Sequence, residues 1–198
     1  MARLAIFVDG GYYSALAEKH YHVRIDFPKL VEEIKSIVSA QVRDSIDILR
    51  TYYYDCPPYQ STNPTETERA RYGAKIGFFN YLETLSRVQV QKGRLAYRGK
   101  TRNGVPIYQQ KRVDLLLGLD FAEQSTKGQI AYIALVAGDS DFCPAVEFAK
   151  REGVCVWLFH GPKVSPDNGD RTYSEDLWQC SDERCEIDQA FIDRIKRF

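Results

Sequence analysis

Two apolar runs that each end in an acidic residue constrain the fold of this chain more than any other feature. The first spans residues 3–8 and is followed by Asp9, and the second spans 129–137 and is followed by Asp139 and Asp141. Such short apolar runs are typical of strands buried on both faces, as in a parallel sheet. We therefore predict that strands 3–8 and 130–136 are neighbours at the centre of a parallel sheet, with their terminal acids at one edge.

Helical and strand patterns alternate along the rest of the chain, which indicates a three-layer α/β fold with right-handed crossovers. At 198 residues the chain is long enough to build its own core without disulfides or metals as staples. We predict a domain over 1–160 and expect 161–198, a C-terminal loop and helix, to pack on that same domain. The predicted helices cover 12–19, 27–40, about 65–85, 113–124, 142–151 and 186–198, and the further core strands cover 46–54 and 154–159.

Basic residues are concentrated in one segment, although the chain as a whole carries 27 basic and 27 acidic residues. Between Glu83 and Asp114 there is no acid. Alternating residues and the Asn103-Gly104 pair predict a basic β-ribbon at about 87–110, inserted into the fold. The basic residues of the segment are Arg87, Lys92, Arg94, Arg98, Lys100, Arg102, Lys111 and Arg112.

A dense basic segment in a neutral protein favours local contact with a polyanion. Tyr97 and Tyr108 add stacking surfaces that would suit single-stranded RNA or DNA. Charged edge strands can also serve only to prevent association between sheets, which is the structural alternative. Our candidate substrate-binding residues are Arg94, Arg98, Lys100, Arg102, Lys111 and Arg112.

The acids at the strand ends suggest a site for a hard divalent cation. Asp114 opens the helix that follows the basic segment and adds a third source of carboxylate to Asp9 and the Asp139/Asp141 pair. Converging carboxylates repel one another, and a cation or basic neighbours keep them ionised. Oxygen ligands select Mg²⁺ or Mn²⁺, which assist attack on phosphates.

Each acid also has a structural interpretation. Asp9 can shape a turn before two glycines, and Asp114 can favour the dipole of its helix. Asp141 can cap the following helix, and Asp120, six residues after Asp114, is more typical of a solvated helical position. Asp139 is the hardest to explain structurally, because it ends a fully apolar strand.

Three motifs together resemble the NYN domain, of the LabA-like bacterial type, within the PIN-like nuclease superfamily. They are Ile6-Phe7-Val8-Asp9-Gly10, Lys111-Arg112-Val113-Asp114 with Asp120 downstream, and the block from Leu135 to Pro144 that contains Gly-Asp-Ser-Asp-Phe. The resemblance covers about residues 3–160. It implies a metal-dependent ribonuclease whose catalytic residues are Asp9, Asp114, Asp139 and Asp141, the first three of them as metal ligands.

The chain departs from the family pattern at three places, one of which is Ala137, where the family has the Ser of Ser-Gly-Asp. The family usually has an Asn soon after the first Asp-Gly, where this chain has Gly11, Tyr12 and Tyr13, and the usual Gly of Lys-Gly-Val-Asp is Arg112. We predict a Mg²⁺- or Mn²⁺-dependent endoribonuclease acting on RNA, with DNA as a further possible substrate. A nucleic-acid-binding or regulatory module of the same fold, without turnover, is the alternative.

Other enzyme classes fit the motifs poorly. A phosphatase of the haloacid dehalogenase type needs a second Asp at the position of Gly11, and a serine esterase at Ser140 needs an Asp spaced before His160. Five cysteines without a Cys-x-x-C pair indicate reduced thiols, although Cys180 and Cys185 could hold a metal. No apolar run is long enough for a signal peptide or membrane span, so we expect a soluble cytoplasmic protein, for which exposed sheet edges allow a homodimer.

Overall fold

Six strands pair in parallel to form the central sheet, and two more form a separate antiparallel pair. The structure is a computed structural model that describes residues 1–101, 106–165 and 169–197. The order of the strands in the central sheet is β3-β2-β1-β6-β7-β8, and β4 pairs with β5. The strands are β1 Ala2–Asp9, β2 Ile46–Asp55, β3 Val88–Lys92, β4 Arg94–Lys100, β5 Pro106–Lys111, β6 Tyr132–Val136, β7 Cys155–His160 and β8 Glu183–Glu186.

Helices cover both faces of the sheet and connect its strands. Sequence signals set several of their starts: Asp26 accepts a hydrogen bond from the Lys29 amide before one helix, and Thr65 and Glu68 form a reciprocal capping box before another. A π-helical turn, Leu16–His20, extends the first helix. The helices are α1 Gly10–Ala15, α2 Phe27–Val42, α3 Glu66–Thr84, α4 Val113–Thr126, α5 Cys143–Arg151, α6 Glu175–Cys180 and α7 Gln189–Ile195.

Strand β1 lies at the centre of the core, and its residues alternate between two helical layers. Leu4, Ile6 and Val8 belong to the cluster that α2, α3 and α7 cover, while Ala5 and Phe7 belong to the cluster that α4, α5 and α6 cover. All five residues are fully buried. Complete burial of a large apolar side chain contributes roughly 1.5–3 kcal/mol, so this alternation fixes the strand between the layers.

The predicted neighbour relation of the two acid-terminated strands is confirmed. Strands β1 and β6 pair in parallel, with Val8 opposite Val136. The chain reverses its direction of sheet growth between them, since β2 and β3 lie on one side and β7 and β8 on the other. Open α/β sheets bind ligands outside the carboxyl ends of the strands at such a switch point.

The prediction that residues 88–91 belong to the basic β-ribbon is wrong. They form β3, which pairs in parallel with β2 at the edge of the central sheet, because α3 is a crossover helix that returns the chain beside β2. Val88 and Val90 pack against the core from there. Only β4 and β5 form the antiparallel pair, and the predicted Asn103-Gly104 turn lies outside the described residues.

Gly93 allows the chain to leave the central sheet for the β4–β5 pair. Its amide donates to the Asp55 carbonyl oxygen over 2.8 Å. A Cβ atom at this position would lie 2.5 Å from a methyl group of Val113 and 2.8 Å from the carbonyl oxygen of Lys111. The base of the β4–β5 pair is therefore packed closely against the start of α4.

The C-terminal part of the chain adds elements that the sequence patterns did not predict. Residues 186–198 were expected to form a helix, but Glu186 ends β8, which pairs with β7, and α7 begins only at Gln189. Helix α6 precedes this strand. The five cysteines are free thiols, as expected. Among the helices of the described ranges, none combines the length and apolar character that a membrane crossing requires.

Candidate active site

Asp9 ends β1 and caps the start of α1. Its Oδ1 atom accepts hydrogen bonds from the amides of Gly11, at 2.9 Å, and Tyr12, at 3.2 Å. Burial raises the pKa of this carboxyl group to about 6, against the lowering effect of the two amides, and the carboxylates of Asp114 and Asp55 raise it further. The side chain is therefore oriented by one oxygen while its charge lacks full compensation.

Asp139 and Asp141 lie on the loop that follows β6. Oδ1 of Asp139 accepts a hydrogen bond from the Asp141 amide at 3.0 Å and caps the short 3₁₀ turn Ser140–Phe142. The proposed capping role of Asp141 is not found, because the N-cap of α5 is Phe142 and no side chain caps it. Both acids are exposed at the carboxyl edge of the sheet.

Asp114 reaches the same edge from a different part of the chain. It lies in the first turn of α4, two residues after Arg112, whose backbone has a φ of 76°. Partial desolvation raises the pKa of Asp114, and the carboxylates of Asp139 and Asp141 raise it further. Asp114 therefore lies close enough to Asp9 on one side and to the Asp139/Asp141 pair on the other for their carboxylates to repel its own.

The chemistry of this acid cluster, defined as Asp9, Asp114, Asp139 and Asp141, fits a hard divalent cation. Its donors are carboxylate oxygens, and the pKa values of Asp9 and Asp114 are raised first by burial and then by the neighbouring carboxylates, both of which a bound cation would offset. Over the described ranges, no three His, Cys, Asp or Glu side chains are arranged as a ready set of metal ligands. Mg²⁺ is commonly held by one or two carboxylates together with water and substrate phosphates.

A fifth carboxylate, Asp55, lies at the same edge, and the sequence analysis missed it. It ends β2 and is only 2% exposed. It accepts hydrogen bonds from the Tyr53 hydroxyl at 3.0 Å and the Cys56 amide at 2.6 Å, and it forms an ion pair with Lys75 of α3. The signal was present, since Asp55 follows an apolar strand as Asp9 and Asp139 do. Lys75 carried no such signal.

Gly10 lets α1 begin against this buried ion pair. A Cβ atom there would lie 2.5 Å from Oδ2 of Asp55 and 2.6 Å from the hydroxyl oxygen of Tyr53. The ammonium group of Lys75 also donates to the Ser14 hydroxyl over 3.4 Å. The first turn of α1 therefore packs between Asp55, which is paired with Lys75, and Asp9.

Asp120 lies on α4 but forms contacts away from the acid cluster. Its Oδ2 atom accepts hydrogen bonds from the Tyr54 hydroxyl at 2.8 Å and from the Gln91 side-chain amide at 3.0 Å. It is therefore neither the solvated residue that its helical position predicts nor a member of the cluster. It joins α4 to β2 and β3.

The basic residues of the segment 87–112 divide into two groups. Arg87 and Lys92 form ion pairs with Asp47 and Glu83, each at 2.8 Å, and belong to the central sheet and its approach. Arg94 and Lys111 lie directly opposite each other at the base of the β4–β5 pair. Like charges in facing positions are destabilising unless an anion compensates them. Lys111 of this pair lies three residues before Asp114.

The remaining candidate substrate-binding residues lie farther along the β4–β5 pair. Arg98 is exposed on β4, Lys100 ends that strand, and Arg112 is exposed at the junction with α4. Arg102 lies outside the described residues. Tyr97 and Tyr108, predicted as stacking surfaces, face each other across the pair with ring centroids 5.8 Å apart. Tyr108 also stacks on Tyr59, at a centroid distance of 4.1 Å. Tyr97 is 58% exposed.

Tyr12 and Tyr13, which stand where an Asn was expected, both have structural contacts. The hydroxyl oxygen of Tyr12 accepts a hydrogen bond from the Gly161 amide at 2.8 Å, and its ring fills the space beside Gly138. Burial raises the pKa of Tyr12 to about 12, so its hydroxyl stays neutral. Tyr13 is buried and donates to the Ile25 carbonyl oxygen at 3.4 Å. Tyr12 therefore braces the ends of β6 and β7 behind Asp139.

Comparison with known proteins gives one match. A family model described as the NYN domain matches residues 3–173, which is most of the chain. No curated protein and no solved structure matches the chain significantly. The matched range contains all four residues of the acid cluster and the whole β4–β5 pair.

Proposed function

The chain belongs to the NYN-domain family of the PIN-like nuclease superfamily, whose members generally use divalent metal ions, and on that premise we propose that it is a Mg²⁺- or Mn²⁺-dependent endoribonuclease. Its substrate is single-stranded RNA, in which it hydrolyses phosphodiester bonds. The observation that carries the proposal is the electrostatic coupling of carboxylates from β1, α4 and the loop after β6 at the switch point of the sheet. Within the family, the sequence motifs favour the LabA-like bacterial group.

The acid cluster provides the catalytic residues. Asp9, Asp114 and Asp139 would hold the cation, and Asp141 would stand beside them as an accessory carboxylate. A bound cation lowers the pKa of water and offsets the negative charge that develops on the phosphoryl oxygens. The backbone amides that bind one oxygen of Asp9 and of Asp139 leave the other oxygen of each carboxylate oriented for this task.

The β4–β5 pair supplies the positive charge that an acidic site needs to attract RNA. Arg94 and Lys111 face each other at its base, and Arg112 follows directly. Phosphate groups bound there would lie beside Asp114, two residues after Arg112. Arg98, Lys100 and Arg102 would extend the path, and the exposed ring of Tyr97 offers a stacking surface for a base.

A cleavage assay with labelled single-stranded RNA and DNA of the same sequence tests the proposal. The wild-type protein and Asp139→Asn are compared in Mn²⁺, in Mg²⁺ and in EDTA. Asn retains the oxygen that accepts the Asp141 amide, so the loop keeps its cap while the negative charge is lost. We expect the substitution to lower the cleavage rate by about a hundredfold or more, and chelation to abolish cleavage.

Asp114→Asn and Asp120→Asn form a matched pair of controls on α4. Both replace an acid by an amide, but only Asp114 belongs to the acid cluster, and Asp120 keeps an oxygen for Tyr54 and Gln91. Asp114→Asn should lose activity and Asp120→Asn should stay close to the wild type. Equal cleavage by wild type and Asp139→Asn would assign the activity to a contaminant or to another site.

The second candidate function is a nucleic-acid-binding module without turnover. It is favoured by Tyr12 and Tyr13 at the position expected for Asn, because both are engaged in structural contacts. Such a module would bind RNA equally well in EDTA and would cleave with none of the divalent ions. The same assay, combined with a binding titration, separates it from the nuclease.

DNA cleavage, a homodimer and a cytoplasmic location stay predictions from the sequence. The DNA arm of the cleavage assay tests the first. Sedimentation velocity tests the second, and fractionation of expressing cells tests the third.

A further inference from the structure

A cavity of about 610 Å³ opens beside the acid cluster. Asp55 ends β2, and Gly11 lies two residues after the end of the neighbouring strand β1. Both residues lie on the wall of the cavity. A Cβ atom on Gly11 would lie 3.3 Å from Oδ1 of Asp9, so the cavity begins two residues along the chain from the proposed metal ligand. Its volume is within the range of pockets that enclose small organic ligands.

The walls of the cavity suit a flat heteroaromatic ring. Phe78 of α3 and Tyr13 of α1 line it, with their rings nearly parallel at 8° and 6.2 Å between centroids. Pro57 and Pro58 close the side formed by the loop after β2, and Leu95 contributes an apolar contact from β4. Rigid aromatic and proline surfaces bind planar rings with little loss of side-chain entropy.

The charge of the cavity suits an anion attached to that ring. Four basic side chains and two acidic ones line it. The ion pair between Lys75 and Asp55 accounts for one of each, which leaves three guanidinium groups, those of Arg24, Arg71 and Arg197, against Glu18. Guanidinium groups bind phosphate through paired donors, so the excess favours a phosphorylated ligand.

We propose that this cavity binds the base of one nucleotide of the RNA strand, the one adjacent to the scissile phosphate. The proposal rests on the proposed function and adds a specificity subsite to it. In RNA each heteroaromatic base is joined through a ribose to a phosphate, so a nucleotide supplies both the flat ring and the anion that the walls suit, and the cavity shares the carboxyl edge of the sheet with Asp9. Leu95 of β4 also lies on the cavity wall, so a strand guided by the β4–β5 pair passes its mouth.

Filling the cavity from one lining position tests the proposal while every other side chain around it is retained. Ala74 of α3 lines the cavity, whereas Ala70, one helical turn earlier and also exposed, does not. Ala74→Trp and Ala70→Trp therefore form a matched pair. In EDTA, with fluorescence anisotropy of a labelled single-stranded 12-nucleotide RNA as the readout, we expect Ala74→Trp to weaken binding about tenfold or more and Ala70→Trp to leave it near the wild type. Equal affinities of the two variants would overturn the proposal.

A second measurement varies the RNA and compares the wild-type protein with Ala74→Trp. A series of the same RNA with one abasic residue at each successive position should show one position, next to the cleaved bond, where loss of the base weakens binding as much as Ala74→Trp does. Ala74→Trp should cause no further loss on that abasic RNA. A uniform response to abasic residues along the strand would contradict the subsite.

A third arm distinguishes the RNA strand from free nucleotides. The four nucleoside 5′-monophosphates are added as competitors to the labelled RNA. We expect them to compete far more weakly than unlabelled RNA, and competition as strong as that of the RNA would assign the cavity to a free nucleotide and overturn the strand subsite. Because all these readouts are taken in EDTA, they hold whether or not the protein cleaves RNA. A protein that binds RNA through this cavity without cleavage in Mn²⁺ would retain the subsite and lose the nuclease assignment.

Discussion

Asp9 and Asp55 end neighbouring parallel strands at the same edge of the sheet, yet their surroundings are opposite. Asp55 is buried with the ammonium group of Lys75, the hydroxyl of Tyr53 and a backbone amide. Within the described residues, Asp9 accepts hydrogen bonds from two backbone amides and from no basic side chain, and burial, with a further contribution from other carboxylates, raises its pKa. The position of an acid in a parallel sheet therefore does not decide its role. The paired acid holds the structure together, while the unpaired acid is left with an electrostatic cost that a bound cation would relieve.

The largest effect on stability is expected when Asp55 loses its basic partner. Lys75→Met keeps the length of the side chain but leaves a buried carboxylate without its cation, which should lower the free energy of unfolding by about 3 kcal/mol or more. Urea denaturation at pH 7 measures the loss.

Lys92→Met is the matched control for that measurement. Both ammonium groups lie near the ring of Phe79, at 5.6 Å for Lys75 and 5.7 Å for Lys92, but the ion pair of Lys92 with Glu83 is exposed. An exposed pair contributes about 1 kcal/mol or less, so this variant should remain close to the wild type. Similar losses for the two variants would contradict the assigned difference.

A smaller change in stability, of opposite sign, is expected when Asp9 is replaced with Asn. The folded protein holds the proton of this carboxyl group up to a pKa of about 6, against 3.8 for the ordinary value, so ionisation of Asp9 costs stability as the pH rises through this interval. In EDTA, Asp9→Asn should therefore be more stable than the wild type at pH 8, by about 1–3 kcal/mol after allowance for partial exposure. The gain should disappear below pH 4, where both side chains are neutral.

Asp55→Asn is the matched contrast to Asp9→Asn. It removes the same charge from the same edge of the sheet, but it leaves the ammonium group of Lys75 without a partner and should lower stability at pH 8. Chemical denaturation of both variants at pH 4 and pH 8 is sufficient. A loss of stability in Asp9→Asn at pH 8 would show that Asp9 is compensated after all.

The smallest effect concerns Arg94 and Lys111, the two basic residues that face each other at the base of the β4–β5 pair. Replacing Arg94 and Lys111 together with Ala should reduce the dependence of log affinity on log salt concentration by up to about 1.4, or roughly 0.7 for each phosphate of a single strand that the protein no longer neutralises. RNA binding titrated from low to moderate salt provides the slope. Arg87 and Lys92 replaced with Ala remove the same charge from residues that are ion-paired, and an equal change in slope would contradict the division of the basic segment.

The sequence was most informative where apolar strands meet acids. Burial on both faces predicted the central pairing of β1 with β6, and the edge shared by their terminal acids follows from that pairing. The same reasoning applies to Asp55, but its partner Lys75 lies on a crossover helix with no motif around it, and the pairing requires the tertiary structure. Ion pairs between distant residues depend on helix packing, which local patterns do not encode.

Residues 88–91 show the limit of alternation as a signal. An alternating pattern predicts a strand but not its partner, and β3 joined β2 because α3 brings the chain back across the sheet. Local patterns could not predict the role of Tyr12 either, because its hydroxyl oxygen accepts a hydrogen bond from an amide 149 residues away. Strand β8 is short and has charged residues at both ends, so it lacked the apolar run by which the other core strands were identified.

The close packing at Gly93 also separates the base of the β4–β5 pair, where substitutions are restricted, from the rest of the pair. With no room for a Cβ atom beside Val113 and the Lys111 carbonyl oxygen, the base of the pair is fixed to the start of α4. At the other end of the two strands, Lys100 and Pro106 lie 14 and 8 residues before Asp114 along the chain. We therefore expect changes of length or sequence at that end to leave the arrangement of the acid cluster intact.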